Sequence, residues 1–258
     1  MWDPGTYLTY ADERGRPFHE LLARVGASAP RRVADLGCGP GNQTAALADR
    51  WPGAAVEGVD SSAEMIGQAT ALEPRVSFRR ADLREWMPGP DTDVVVSNAA
   101  LHWVPGHASL LRRWAAALPP GAWLAVQVPG NFDAPSHWAV RDLAGSARWR
   151  DRLSSVPMPA DPVLDPEGYA EILLDLDCEV DAWETTYLHV LPERSRVHPV
   201  LEWLSGTTLR PVRAALGDAD WASFTAALDE ELADAYPVGP AGALFPFRRV
   251  FVVARTAP

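Results

Sequence analysis

The residues best placed to do chemistry fall into a few short clusters. The first is Asp35-Leu36-Gly37-Cys38-Gly39-Pro40-Gly41, a G-x-G-x-G run between a β-rich segment and a helical pattern. Glycines in that position let the backbone turn tightly and approach a ligand, while the next helix offers unpaired N–H groups. Dinucleotide enzymes usually carry glycine or alanine one position further on, where this chain has Asn42. Alone, such a run is also a plain strand-to-helix turn; its placement favours a nucleotide-like ligand. Asp60 follows about 20 residues later, where a carboxylate can accept both hydroxyls of a ribose. Asp82, in Ala81-Asp82-Leu83, is placed to accept from an adenine amino group while Leu83 packs on the ring. Ser97-Asn98-Ala99 adds polar groups at a further strand end. Ligands in open α/β sheets bind at the carboxyl ends of strands, and several such clusters at successive ends outweigh the turn reading of any one.

The elements that must position these residues alternate between strand and helix, as in a parallel sheet with crossover helices. The sequence predicts a lead-in helix over 16–25, strands at 32–36, 55–60, 76–80, 93–97 and 122–128, and helices between them. Ser61 followed by Glu64 has the spacing of a capping box, with Met65, Ile66, Ala69 and Leu72 forming an apolar stripe beyond it. The branched run Val94-Val95-Val96 suits a buried central strand. From 129 to 166 the period is lost amid Pro, Ser and Trp, as expected of a cover over a site. Beyond it come a helix at 167–176, a strand at 179–190, a long helix at 218–235 and a closing strand at 247–255.

These motifs resemble those of the class I S-adenosylmethionine methyltransferases and, more narrowly, the trans-aconitate 2-methyltransferases. The glycine motif carries only the broad resemblance. The narrower one rests on Tyr7-Leu8 with Glu13 to Pro17, Asn98 to Trp103, Trp183 with Thr185-Thr186-Tyr187, Thr208 to Pro211, and Phe247 to Arg255. His102 and Thr207 depart from the family pattern. The resemblance implies an α/β, Rossmann-like class I methyltransferase fold: a mostly parallel seven-stranded sheet with an antiparallel last strand and a helical cap. It implies a single domain over 1–258, with N-terminal lid helices in 1–30, a cofactor-binding core at 31–129 and cap insertions at 130–166 and 188–244. The implied cofactor is S-adenosyl-L-methionine, leaving as S-adenosyl-L-homocysteine. Asp35, Gly37, Gly39, Gly41, Asp60, Ser61, Met65, Asp82, Leu83 and Asn98 would hold it.

The implied reaction moves a sulfonium methyl to a carboxylate oxygen, giving a monomethyl ester. A carboxylate is already ionised at pH 7, so neither a general base nor a metal is expected. A polycarboxylate needs cations and hydroxyls around it, because Arg forks match carboxylates in planar pairs. Tyr7, Tyr10, His102, Trp103, Trp203, Arg210 and Arg249 are the candidates, with Arg248 as an alternative to Arg249. A same-fold methyltransferase with another small acceptor stays open. So does a nicotinamide-dependent oxidoreductase or a non-catalytic nucleotide-binding module; Asn42, Asp82 and Asn98 argue against the nicotinamide version.

Composition sets outer bounds. Lys and Arg number 23 against 34 Asp and Glu, a net charge of −11, which disfavours nucleic acid and anionic membranes as partners. The two cysteines, Cys38 and Cys178, have no Cys or His at metal-ligand spacing, which fits a reducing cytoplasm. With no signal-like N-terminus and no long apolar run, the expectation is a cytoplasmic monomer acting on a small polycarboxylate.

Overall fold

The computed structural model describes residues 11–158 and 162–257, with side chains from residue 15 onward. The chain divides into two compact units. A sheet unit comprises Arg14–Pro129, Val163–Thr185 and the C-terminal stretch from Arg249. A helical unit is built chiefly of Gly130–Pro162 and Thr186–Arg248.

In the sheet unit, helix α1 (Ala11–Ala23) precedes β1 (Arg32–Leu36), α2 (Asn42–Arg50), β2 (Ala55–Asp60), α3 (Ala63–Leu72) and β3 (Ser77–Arg80). There follow β4 (Thr92–Asn98), a 3-10 turn at Leu101–Trp103, α4 (His107–Ala117), β5 (Trp123–Pro129) and, after α5 (Pro135–Gly145) and α6 (Arg150–Leu153) of the other unit, α7 (Pro166–Leu174). Two long strands, β6 (Glu179–Leu191) and β8 (Gly242–Arg255), contribute residues to both units. The strand order is β3-β2-β1-β4-β5-β8-β6, with a two-residue strand β7 (Val238–Gly239) paired to β8 off that path. β1 to β5 pair in parallel and β8 runs antiparallel to β5. The expected seven-stranded path is therefore present, with β7 as an addition.

Sequence accounts for this centre directly. Val94, Val95 and Val96 are fully buried, as are Val33 and Ala34 opposite them in register. Strands covered on both faces are apolar throughout instead of alternating. The chain reverses its direction of strand addition between β1 and β4, so their carboxyl ends flank a topological switch point. That is where open α/β sheets open a crevice for ligands.

The helical unit holds α5 (Pro135–Gly145), α6 (Arg150–Leu153), α8 (Pro199–Ser205), α9 (Arg210–Ala215) and α10 (Asp218–Ala235). Phe224, Leu228 and Leu232 repeat every four residues along α10 and join Trp149, Trp203 and Phe245 in its core. Two expectations need correction here. The aperiodic segment 129–166 contains α5 and α6, and the last strand starts at Gly242, not at 247. A third concerns α3: its N-cap is Ser62, whose hydroxyl accepts from the Met65 N–H at 3.3 Å, and not Ser61. No helix among the described residues is long and apolar enough to cross a membrane.

Candidate active site

The glycine loop leaves β1 and docks on the end of β2. The N–H groups of Gly37 and Cys38 donate to the Val59 carbonyl at 2.7 and 3.1 Å. Gly37 has φ 80°, and a Cβ there would lie 2.2 Å from the Ala100 Cβ. Only glycine allows the loop to lie this close to the segment leaving β4. Gly41, at φ 86°, is the N-cap of α2 and supplies no side chain to it. A Cβ at 41 would press within 2.8 Å of the Ala69 Cβ. The first N–H groups of α2 therefore lack an intrahelical acceptor, and its first turn carries no acidic residue. This is an uncapped, electropositive helix end beside an open turn.

Asp35 is 2% exposed and accepts from the Thr44 hydroxyl at 2.6 Å, fastening β1 to the first turn of α2. Burial pushes its carboxyl up to about 6, the Thr44 hydrogen bond holds it down in part, and the charge of Asp60 raises it further. Cys38 is buried between these carboxylates; burial first, then Asp35 and Asp60, push its thiol up, so it is no nucleophile at neutral pH.

Asp60 closes β2 with both oxygens in use. Oδ2 accepts from the Gly39 N–H at 3.0 Å and Oδ1 from the Ser62 N–H at 2.8 Å. Each oxygen keeps a second lone pair, so two acceptor positions remain for a ligand. Ser61 is exposed and its carbonyl accepts from Arg80 Nε at 3.1 Å, while Met65 is half-buried on the first turn of α3. At the end of β3, Asp82 faces Arg84: its oxygens take Nε at 3.0 Å and Nη2 at 2.5 Å, and the Arg84 N–H at 2.8 Å. Those hydrogen bonds hold its carboxyl down at about 2. Leu83 beside it is buried.

Across the switch point, Ser97 donates to the Leu36 carbonyl at 2.8 Å and locks β4 to β1. Asn98 Nδ2 donates to Gln43 Oε1 of α2 at 2.9 Å, and its Oδ1 is buried with no partner among the described residues. Ala99 then adopts φ 53°, a left-handed conformation costly for alanine, with its N–H given to the Gln127 carbonyl at 2.9 Å. Strain of this kind clusters at functional sites. The 3-10 turn follows, with His102 tilted against Trp103 at 4.8 Å and Trp103 58% exposed.

Of the acceptor-binding candidates, Arg249 is buried on β8 in the sheet unit. Arg210 is exposed at the start of α9, with no ion pair among the described residues. Trp203 is a core residue of the helical unit, stacked on His189 at 4.8 Å. Tyr7 and Tyr10 lie outside the described residues. Sequence reasoning names Ala99 only as part of a strand-end motif, without its conformation, and passes over Gln127. A conformation such as that of Ala99 leaves no trace in residue type, but a glutamine inside the apolar run Leu124-Ala125-Val126-Gln127-Val128 is a visible anomaly. Among the described residues no group of three or more His, Cys, Asp or Glu could hold a metal ion.

A family profile described as a methyltransferase domain matches residues 10–182. A trans-aconitate 2-methyltransferase of Mycolicibacterium gilvum is 60% identical over 257 residues, covering 99% of each chain. The chain belongs to this family. Another relative of the same name, from Rhodococcus jostii, is 58% identical over 257 residues and 99% of both chains. The fold extends further than the sequence similarity. A phosphoethanolamine N-methyltransferase 2 of Haemonchus contortus, solved with S-adenosyl-L-methionine, superposes with a TM-score of 0.55 at 17% identity. That match covers 94% of this chain and 53% of the other, so the enzyme spans about half of that neighbour's length.

Proposed function

We propose that the enzyme transfers the methyl group of S-adenosylmethionine to a carboxylate of trans-aconitate, forming a monomethyl ester. The observation that carries the acceptor is the 60% identity over 99% of both chains to a relative named for it. The cofactor is supported by what surrounds the switch point: an uncapped helix end, a carboxylate with free lone pairs, and the orphaned Oδ1 of Asn98. These match an adenosyl amino acid, which brings hydroxyl and ammonium donors together with a carboxylate.

When bound, the cofactor supplies an electrophilic sulfonium methyl. The residues of the chain hold and orient. Asp60 takes the ribose hydroxyls, with Ser61 and Met65 bordering that part of the site. Leu83 packs on the adenine, and Asp82, kept ionised by Arg84, borders its amino group and accepts from it only where Arg84 gives up one of its bonds. Gly37, Gly39 and Gly41 let the ligand meet the backbone, and Asn98 Oδ1 accepts one of its donors. Asp35 acts through Thr44 as a positioning residue, fixing the angle at which α2 leaves the loop.

A carboxylate acceptor is ionised at pH 7 and needs no group of the chain to take a proton. Alignment is what remains to be supplied, and it is worth about 7–11 kcal/mol in well-oriented reactions. His102, Trp103, Trp203, Arg210 and Arg249 are the side chains assigned to the acceptor, together with Tyr7 and Tyr10. The enzyme acts as a cytoplasmic monomer on a small molecule, in keeping with two free, buried cysteines and a net charge of −11.

A methyl-transfer assay over a panel of di- and tricarboxylic acids tests this, with the ester located by mass spectrometry. Trans-aconitate should give the highest kcat/KM, and titration should show binding of S-adenosylhomocysteine but not NAD. Preference for a phenol or an amine over every acid in the panel would overturn the acceptor assignment.

A further inference from the structure

On β5, Gln127 is 0% exposed, yet among the described residues neither its Oε1 nor its Nε2 has a hydrogen-bond partner. A buried amide left wholly unpaired lowers the stability of the fold, and methionine of nearly the same shape would avoid the loss. Such a residue calls for an explanation beyond packing. Its register supplies one. Gln127 lies directly opposite Asn98 on β4 and Phe251 on β8, so all three side chains project from one face of the sheet. That face carries α2, because Asn98 bonds Gln43 there and Asp35, one step back in register opposite Val96, bonds Thr44.

Arg249, opposite Pro129, lies on the same face two residues from Phe251, a diagonal step of about 7–8 Å from Gln127. It is a guanidinium only 6% exposed. The row Asn98, Gln127, Arg249 thus crosses the carboxyl ends of β4 and β5, beneath the strained turn that begins at Ala99. It offers an amide donor beside a buried cation.

We propose that Gln127 is a specificity-determining residue of the enzyme, its Nε2 donating to a carboxylate of the acceptor acid that Arg249 draws to the same row. This rests on the reading that the acceptor is a carboxylic acid. The Oε1 end takes an N–H or O–H of the ligands bound beside it. Recognition is of a carboxylate, which both the acceptor and the amino-acid end of the cofactor carry, and the test separates the two.

In Gln127→Met the amide is replaced by an apolar chain of similar length. KM for trans-aconitate should rise by about 10- to 100-fold. The Kd for S-adenosylhomocysteine should stay at the wild-type value, and Tm should hold or rise because an unpaired amide has gone. Gln127→Asn, one methylene short, should recover part of the KM. If the methionine variant also loses Tm, that partial recovery by asparagine still supports the assignment, and its absence overturns it. An unchanged KM overturns it, whatever happens to Tm. A weakened Kd for S-adenosylhomocysteine with unchanged KM overturns it in favour of the carboxylate of the cofactor. Should the wild-type enzyme esterify no acid, the acceptor reading falls together with this one. An active wild type with an indifferent Gln127→Met sinks the Gln127 assignment alone.

Discussion

Asp60 serves the loop and the ligand with the same two oxygens. Because each already accepts a backbone N–H, from Gly39 and Ser62, a substitution there disturbs the glycine turn as well as the ribose site. Asp60→Ala should weaken S-adenosylhomocysteine binding by about 1–3 kcal/mol, read by calorimetric titration. Asp60→Asn should do no better, although it keeps size and shape, since its NH2 must point at one of two backbone N–H donors. An asparagine variant that binds like wild type would show that one of those backbone bonds is dispensable. At this scale the sequence was legible in type but not in detail. The spacing Ser61 to Glu64 satisfies the capping-box pattern, yet Ser62 caps α3. The deciding contact is Asp60 Oδ1 on the Ser62 N–H, which sets the direction of entry into the helix and leaves Ser61 outside it. Two adjacent serines cannot be told apart without that bond. Asp82 was likewise legible as a strand-end carboxylate, but not its engagement by Arg84 two residues on.

The elements that could be read were those with a simple period. Val94-Val95-Val96 announces a strand buried on both faces, and α10 repeats apolar residues every four positions. Helix α5 hid because its buried positions include Ser136, His137, Ala139 and Ala144, so the covered face is not an apolar stripe. The early part of β8 hid behind Gly242 and Pro246, both of which argue against a strand when read alone. The turn after β4 is a further case, since nothing in Asn98-Ala99-Ala100 signals a positive φ. Holding Ala99 left-handed costs about 1–2 kcal/mol, which glycine would relieve, less about 0.5–1 kcal/mol for the extra freedom of glycine in the unfolded chain. Ala99→Gly should therefore leave stability unchanged or raise it by up to about 1.5 kcal/mol, read from the denaturation midpoint. A fall instead would mean that the Ala99 methyl makes packing contacts worth more than the strain.

At the scale of the whole molecule, the glycine loop, Asp60 and Asn98 were foreseen because they sit at strand ends, where chain order fixes position. Gln127 and Arg249 became neighbours only through the β5–β8 register, which pairs residues more than 100 apart and leaves no local signal.

The same two-unit organisation gives the protein opposed responses to acid. Asp35, in the sheet unit, has its carboxyl raised from 3.8 to about 6 by burial, so the folded state keeps a proton that the unfolded chain has lost. Its contribution to stability is greatest below 3.8 and declines as pH rises through 6. His137, in the helical unit, contacts the hydroxyls of Ser136 at 3.3 Å and Thr208 at 3.2 Å. Burial, aided by Arg141, lowers it from 6.5 to about 4, so the unfolded chain takes up a proton first. Its contribution is complete above 6.5 and is lost as pH falls through 4. Between pH 8 and pH 5 these two groups should remove about 2 kcal/mol from the helical unit and return about 1–1.5 kcal/mol to the sheet unit. Hydrogen exchange, corrected for the intrinsic pH dependence of the chemistry, reads each unit separately. Protection along Phe224 to Leu232 should fall at pH 5 relative to pH 8, while protection along Val33 to Leu36 and Val94 to Val96 should hold or rise. His137→Gln should flatten the first change and Asp35→Asn the second. If protection in both units falls together at pH 5 and neither substitution alters it, other groups govern the acid response.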